Sequence, residues 1–124
     1  MNKEFVHYEL AVKLKELGFD EPCFGWYDGR YIASINQNYC KNSEEWLNTI
    51  HCAASTFSQA FRWFREKYDL PSNLELLEIG WDYVIYLDDG GEDIDYGDAP
   101  FKTYEEAELA CLTKLIEIVE QQNI

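Results

Sequence analysis

Acidic residues crowd one short segment of this sequence, and carboxylate oxygens are the ligands that calcium prefers in proteins. The segment contains six of them: Asp88, Asp89, Glu92, Asp93, Asp95 and Asp98. The EF-hand pattern of alternating acids, a glycine and a closing glutamate cannot be laid over these positions. A glycine–aspartate repeat begins at Gly90 but has only one copy. The spacing therefore predicts a solvated acidic loop with no metal or cofactor. Its carboxylates either serve solubility alone or form a candidate binding surface.

Cysteine and histidine side chains are the second group that could do chemistry. Cys40, His51 and Cys52 lie close together in the sequence, and His7 or Cys23 could supply a fourth zinc ligand. No Cys-x-x-Cys or His-x-x-x-His pair is present to begin such a site. A Cys52 nucleophile with a His7 base lacks the surrounding signature of a hydrolase. Buried thiols that pack as small apolar groups account for the cysteines better, so we expect free thiols and no catalytic residue.

Aromatic side chains could bind a sugar or a peptide, and Trp63 is the candidate among them. Most of the other aromatic residues fall on stripes that build a core. Trp63 lies off the stripe that Phe57 and Phe64 define, and it stands beside Arg62 and Arg65. An exposed tryptophan flanked by arginine is a common anchor of protein contacts. Trp63 is therefore a candidate contact anchor, and the alternative is that it covers a second helix.

The elements that must position these residues are predicted from hydrophobic periodicity, beginning with a helix over residues 6–17. Leu10, Leu14 and Leu17 recur there at spacings of four and three, which is the period of an amphipathic helix. Gly18 follows, where a helix-ending glycine belongs because it adopts positive φ without strain.

A β-hairpin is predicted around Asp28-Gly29. This dipeptide separates two runs of aromatic and β-branched residues, and both positions of a tight hairpin turn need positive φ. A two-residue turn here pairs Trp26 with Tyr31 and Phe24 with Ala33. We expect this face of the hairpin to meet the core.

The middle of the chain predicts a second helix after an irregular stretch. Residues 36–54 show no clean period, although residues 44–51 could form a short helix. Thr56 and Gln59 then match a capping box, in which each side chain satisfies a free amide of the other's backbone. The helix should end near residue 69, before Pro71.

The last third predicts a strand and a helix. Residues 81–87 alternate as a strand, residues 92–96 could return as an edge strand, and residues 74–79 are ambiguous between strand and loop. Thr103 to Glu106 is a second capping box and opens a helix running to about Gln121. The order α-β-β-α-β-(β)-α predicts an α+β fold: one antiparallel sheet of three or four strands, with about three helices packed mainly on one face.

Composition bounds the organisation of the chain. Its 124 residues suit a single domain over 1–124, and the apolar fraction of 47% is that of a folded protein. No apolar run has the length of a signal sequence or a membrane span. Thinly spread cysteines suggest reduced thiols, so a cytoplasmic location is expected.

The net charge of −14 is unevenly distributed. Residues 1–70 carry ten acids and eight bases, whereas residues 71–124 carry fourteen acids and only two bases, Lys102 and Lys114. A field of that sign disfavours direct binding to nucleic acid or to an anionic membrane, and it favours a basic protein partner or cations.

Three stretches of the chain carry a resemblance to known sequences. They are Lys15–Gly25 (KELGFDEPCFG), Thr56–Tyr68 (TFSQAFRWFREKY) and Phe101–Leu112 (FKTYEEAELACL). On these the chain resembles a group of small proteins of Bacteroides-type gut bacteria and of their phages and mobile elements. That group has no assigned activity, so the resemblance implies a source and no functional residue.

Two classes of function follow from the sequence. The first is a non-catalytic interaction module whose acidic C-terminal part binds a basic partner, including the case of a phage or mobile-element inhibitor that mimics nucleic acid. The second is a small enzyme or ligand-binding protein with its site near residues 36–54. An acidic surface without a catalytic pocket favours the first class.

Overall fold

The computed structural model describes residues 4–28, 31–43, 52–87, 94–96 and 100–122, and for residues 24, 28, 31–40 and 94–96 it describes the backbone alone. These residues contain three helices and six strands. The elements follow in chain order: α1 (Tyr8–Glu16), β1 (Cys23–Asp28), β2 (Tyr31–Cys40), β3 (Cys52–Ala54), α2 (Phe57–Tyr68), β4 (Ser72–Leu77), β5 (Gly80–Tyr86), β6 (Ile94–Tyr96) and α3 (Tyr104–Gln122).

The chain divides into two compact units, Met1–Phe57 and Ser58–Ile124, called here the N-terminal and C-terminal units. Each unit contains one antiparallel sheet of three strands, in the order β2-β1-β3 and β4-β5-β6. The predicted α+β class and the order of the predicted elements are confirmed. The strands form two sheets rather than the predicted one, because β1 pairs with β2 and β3 while β5 pairs with β4 and β6. A single domain over residues 1–124 stays a prediction.

In the N-terminal unit, α1 ends as its sequence predicts. Leu10 and Leu14 are buried. Gly18 has a φ of 99°, a left-handed value that suits glycine. The chain then closes the helix end with a hydrogen bond from the Phe19 amide to the Leu14 carbonyl at 2.9 Å, which satisfies a carbonyl that the helix leaves free.

The hairpin of β1 and β2 forms, but its register differs from the predicted one. Asp28 pairs with Tyr31, and an irregularity places Trp26 opposite Ser34. The predicted pairs of Trp26 with Tyr31 and of Phe24 with Ala33 are therefore wrong. Part of the predicted turn, Gly29, lies outside the described residues.

The inward face of β1 is also the opposite of the predicted one. Cys23 and Tyr27 are buried, whereas Trp26 is half-buried. The Tyr27 hydroxyl donates a hydrogen bond to the Val6 carbonyl, and the Tyr27 ring meets the Tyr8 ring edge-on at 5.5 Å. A buried phenol needs such a partner, so this acceptor fixes which face of β1 turns inward.

Helix α2 begins directly after Thr56 and ends at Tyr68, as the sequence predicts. Asp69 has a φ of 55°, which stops the helix, and the Leu70 amide then bonds back to the Phe64 carbonyl at 3.2 Å. The short helix considered for residues 44–51 lies outside the described residues.

In the C-terminal unit, α3 packs against β5 and β4. Residues 74–79 and 92–96, which the sequence left open, contribute β4 and β6. Trp81 and Phe101 exchange backbone hydrogen bonds of 2.8 and 2.9 Å, which tie the segment before α3 to β5. No helix in the described ranges combines the length and apolarity needed to cross a membrane.

Candidate functional site

The predicted acidic binding surface falls largely on residues that the structure does not describe. Asp88, Asp89, Glu92, Asp93 and Asp98 lie outside the described ranges. The sixth residue, Asp95, has a described backbone in β6, where it pairs with Ile85 of β5. The arrangement of these six carboxylates therefore stays a prediction.

The β4–β5 hairpin presents further acidic residues of the same unit. Glu75 lies within β4 and Glu78 lies in the turn, and both side chains are exposed. Neither carboxylate makes an ion pair with any described residue. Asp82, the cross-strand partner of Glu75, is buried and accepts a hydrogen bond from the Tyr83 amide at 2.8 Å. The hairpin thus holds one carboxylate for structure and leaves two in solvent.

Large apolar side chains lie exposed between these acids. Leu76 is 69% exposed and Ile79 is 73% exposed, and Leu77 between them is 39% exposed. Single exposed apolar residues are common, but neighbouring ones on one hairpin are typical of a contact surface. We call residues 72–79, which comprise β4 and its turn, the β4 edge.

The first turn of α3 supplies a second group of acids. Thr103 caps the helix as predicted, because its hydroxyl accepts a hydrogen bond from the Glu106 amide at 3.1 Å. The Glu106 carboxylate accepts from the Lys102 amide at 3.1 Å, one residue before its expected partner in a capping box. Glu105 and Glu106 are exposed, and negative charge is favourable at a helix N-terminus.

Aromatic contacts bring the start of α3 beside the hairpin. The ring of Trp81 meets the ring of Tyr104 edge-on at 5.2 Å, and Trp81 is the cross-strand partner of Leu76. Leu76, Trp81 and Tyr104 therefore follow one another across the surface, and Tyr104 is 43% exposed. This arrangement joins the apolar part of the β4 edge to the acidic first turn of α3.

Ionisation at the start of α3 is shifted by its surroundings. Partial burial raises the pKa of Glu108, and the neighbouring Glu105 carboxylate raises it further. Burial likewise raises the pKa of the Tyr104 hydroxyl, with Glu108 and then Glu105 as further causes. Both shifts have the direction expected where negative charges crowd together, because each carboxylate disfavours another negative charge nearby.

The prediction that Trp63 is an exposed contact anchor is wrong. Trp63 is only 5% exposed. Its ring meets the rings of Phe64 and Tyr68 edge-on at 5.1 and 5.3 Å, and the Lys67 ammonium lies 5.2 Å from the ring centre. A wide apolar stripe, rather than one seam, is buried on α2, so a residue off the narrow stripe is also covered.

The N-terminal unit contains an open cavity of about 300 Å³. It is lined by Lys15, Gly18, Phe19, Asp20, Asn42 and Ser43. The Asn42 amide is already committed, since it donates to the Phe19 carbonyl and accepts from the Ala53 amide, both at 2.8 Å. Asp20 accepts from the Ser43 amide at 2.7 Å. The polar groups of the cavity wall therefore hold the fold together.

Cysteine chemistry finds little support in the same unit. Burial raises the pKa of the Cys52 thiol to about 11, although Lys15 lowers it. A thiol with that pKa is protonated at neutral pH and is a weak nucleophile. His51 lies outside the described residues. Cys23 and Cys52 of this unit, and Cys111 of the C-terminal unit, carry buried thiols. Within the described ranges, no three His, Cys, Asp or Glu side chains cluster as a metal site.

Comparison with known proteins adds no relative. No protein-family model matches the chain, no curated protein matches it, and no solved structure matches it. The resemblance to small proteins of Bacteroides-type bacteria and their phages therefore stays a prediction.

The β4 edge is the feature that the sequence did not reveal. Residues 74–79 read Leu-Glu-Leu-Leu-Glu-Ile, with apolar residues on both faces of any strand, so alternation alone could not assign them. The presence of apolar residues on both faces was itself the available signal of an exposed apolar strand. A strand that is apolar on both faces must either be central in a sheet or leave apolar residues in solvent.

Proposed function

We propose that this protein is a non-catalytic interaction module that binds a basic protein partner through an acidic surface of its C-terminal unit. The observation that carries the proposal is the charge of that unit. Residues 58–124 contain sixteen acids and five bases, for a net charge of −11. A field of this sign speeds the encounter with a cationic partner and repels nucleic acid and anionic membranes.

The described geometry supports this proposal at the β4 edge and at the start of α3. Glu75, Glu78, Glu105 and Glu106 are exposed, and the described part of the chain offers none of them an ion-pair partner. Exposed apolar residues lie among them. Interfaces combine an apolar centre with a charged rim, and the rim sets the rate and choice of partner more than the affinity.

The partner class follows from the same charge. The expected partner is a protein whose basic surface normally binds nucleic acid. An acidic surface of this kind would occupy that basic surface in place of nucleic acid, as an inhibitor that mimics nucleic acid does. We place the protein in the cytoplasm, because its cysteines suit a reducing compartment.

The experiment compares two charge-matched variants in a pull-down from a bacterial lysate at low and at physiological salt. In the first variant Asp88, Asp89, Glu92 and Asp93 are changed to their amides. In the control variant Glu4, Glu9, Glu16 and Glu21 of the N-terminal unit are changed to glutamine. We expect a basic protein to be retained by the parent and by the control but lost from the first variant.

Salt provides the second arm. Retention should weaken steeply towards physiological ionic strength, where the Debye length falls to about 8 Å. Equal retention by both variants, or retention that salt leaves unchanged, contradicts the proposal.

A further inference from the structure

The β4 edge is an open end of the second sheet. In the order β4-β5-β6, β4 pairs with β5 along its whole length from Ser72 to Leu77, and no described strand pairs with its other side. An edge strand presents unpaired backbone N–H and C=O groups, which are a template for another strand.

The ladder identifies which backbone groups of β4 face outward. The Tyr86 amide donates to the Pro71 carbonyl at 2.9 Å, so this pair is hydrogen-bonded. Hydrogen-bonded and non-hydrogen-bonded pairs alternate in an antiparallel ladder. The continuous register then turns the backbone groups of three residues away from β5: Ser72, Leu74 and Leu76. These residues offer three amides and three carbonyls to a further strand.

This edge carries little of the protection that natural edge strands use. The six residues of strand β4 include no proline and no lysine, and the register of β4 with β5 has no bulge. Glu75 is the one charged residue of the strand. Leu76, at 69% exposed, lies where a protected edge would place a charge. An edge of this kind is expected to have an occupant.

Charge identifies the occupant. A second copy of this chain would bring a second C-terminal unit of net charge −11 and a second set of the same glutamates, so edge-to-edge self-pairing is repelled. A basic segment is attracted by the same field. Residues directly opposite in a pair share a face, so the face of Leu74 and Leu76 suits aliphatic side chains and the face of Glu75 suits lysine or arginine.

We propose that β4 is the docking edge for an extended basic segment of another protein, which adds a fourth strand to the second sheet. The inferred segment alternates aliphatic residues with lysine or arginine. Main-chain hydrogen bonds to Ser72, Leu74 and Leu76 supply affinity, and the two faces supply selectivity. The inference rests on the proposed function and assigns to it a location and a mode of binding.

Amide hydrogen exchange of the parent protein is the primary test, with a short peptide of alternating lysine and valine as the probe. In the free protein the amides of Ser72, Leu74 and Leu76 should exchange fast, while those of Asn73, Glu75 and Leu77 exchange slowly. Addition of the peptide should slow the first three. Peptide binding that leaves these three amides unprotected overturns the docking edge.

Two substitutions at one position provide a matched pair. Leu76→Pro removes an outward amide and leaves the ladder to β5 intact, since proline is tolerated at such edge positions. Leu76→Thr keeps the amide. One lost hydrogen bond corresponds to roughly tenfold in Kd, so we expect Leu76→Pro to bind the peptide about tenfold more weakly than Leu76→Thr. Equal affinity of the two variants contradicts the inference.

The variant with Asp88, Asp89, Glu92 and Asp93 neutralised separates this inference from the proposed function. Peptide binding that falls on neutralisation but is equal in the two Leu76 variants refutes the docking edge and leaves acidic-surface binding standing. If the basic partner is retained by both charge variants, the proposed function is refuted. A control peptide that repeats lysine-proline-proline carries the same number of lysines but lacks most amides on both of its edges, and it should bind weakly.

Discussion

In the N-terminal unit Asn42 and Tyr27 bond to backbone groups of the fold, whereas the β4–β5 hairpin of the C-terminal unit leaves acidic side chains in solvent. Asn42 uses both ends of its amide on backbone groups, and Tyr27 uses its hydroxyl on the Val6 carbonyl. Glu75 and Glu78 are exposed with no ion-pair partner in the described ranges. The N-terminal unit has a net charge of −3 and the C-terminal unit one of −11, so the unit with the exposed glutamates is also the more negative one. The polar side chains named for the N-terminal unit thus stabilise its fold, whereas the two hairpin glutamates of the C-terminal unit are available for contact.

The comparison predicts that polar substitutions cost most in the N-terminal unit, and Asn42→Ala should show the largest effect. The change removes the buried hydrogen bonds that Asn42 makes to the Phe19 carbonyl and to the Ala53 amide, at about 1–3 kcal/mol each. We expect the free energy of unfolding to fall by about 4 kcal/mol in urea denaturation. Ser43→Ala, at the exposed neighbouring position, should change it by less than about 0.5 kcal/mol. Equal effects of the two substitutions would show that the Asn42 amide does not stabilise the N-terminal unit through these hydrogen bonds.

The C-terminal unit has its own rigid point, and Gly80→Ala should show the next largest effect. Gly80 has a φ of 147°, and an added Cβ would lie 2.6 Å from the Phe101 carbonyl oxygen. That oxygen is held by the Trp81 amide, so it cannot move aside cheaply. We expect a loss of about 3 kcal/mol in thermal or urea unfolding. Leu77→Ala, at the cross-strand partner, should cost less than about 0.5 kcal/mol. A tolerated alanine at position 80 would show that this hairpin is not fixed by the Phe101 segment.

The cap of α3 tests whether the acidic first turn is held in place. Thr103→Ala removes the acceptor for the Glu106 amide and should cost about 1 kcal/mol in urea denaturation. Thr103→Ser keeps a hydroxyl and should change the free energy of unfolding by a few tenths of that amount. A similar loss in both variants would mean that the threonine methyl group, and not the cap, stabilises this end of α3.

Local signals predicted the parts of the fold that local physics decides. Gly18 and Thr103 mark helix ends, because few residue types adopt positive φ without strain and few can accept a hydrogen bond from a free helix amide. The face of β1 was missed because a distant group, the Val6 carbonyl, decides where Tyr27 turns. Trp63 was missed because the width of a buried stripe depends on what packs against the helix.

For the site, the sequence predicted the negative charge and the part of the chain that carries it, but it did not predict the β4 edge. The excess of acids after residue 70 is a property of composition, so no structure was needed to find it. The β4 edge depends on which strand lies outermost in a sheet, which is a non-local outcome. Residues 74–79 therefore remained ambiguous until the register with β5 was known.

The smallest expected effect concerns Glu108 and tests whether crowded negative charge strains the C-terminal unit. Partial burial, and after it Glu105, raises the pKa of Glu108 above its ordinary value of 4.5. The folded state therefore holds this proton more tightly than the unfolded state does, so stability falls as pH rises through the raised pKa. Glu108→Gln should raise the free energy of unfolding at pH 7 by up to about 0.5 kcal/mol, and the gain should vanish at about pH 4.

Glu117→Gln is the matched control for that measurement. Glu117 is exposed on the same helix and lies 3.9 Å from the Lys114 ammonium, so its neutralisation removes an attraction instead of a repulsion. It should give no gain at pH 7, because exposed pairs of this kind contribute little. Urea denaturation at both pH values separates the two positions. A gain for Glu108→Gln that persists unchanged at pH 4, or an equal gain for Glu117→Gln, would show that the effect comes from helix propensity and not from the burial and charge crowding that raise the pKa of Glu108. In that case a charged Glu108 would cost the C-terminal unit nothing.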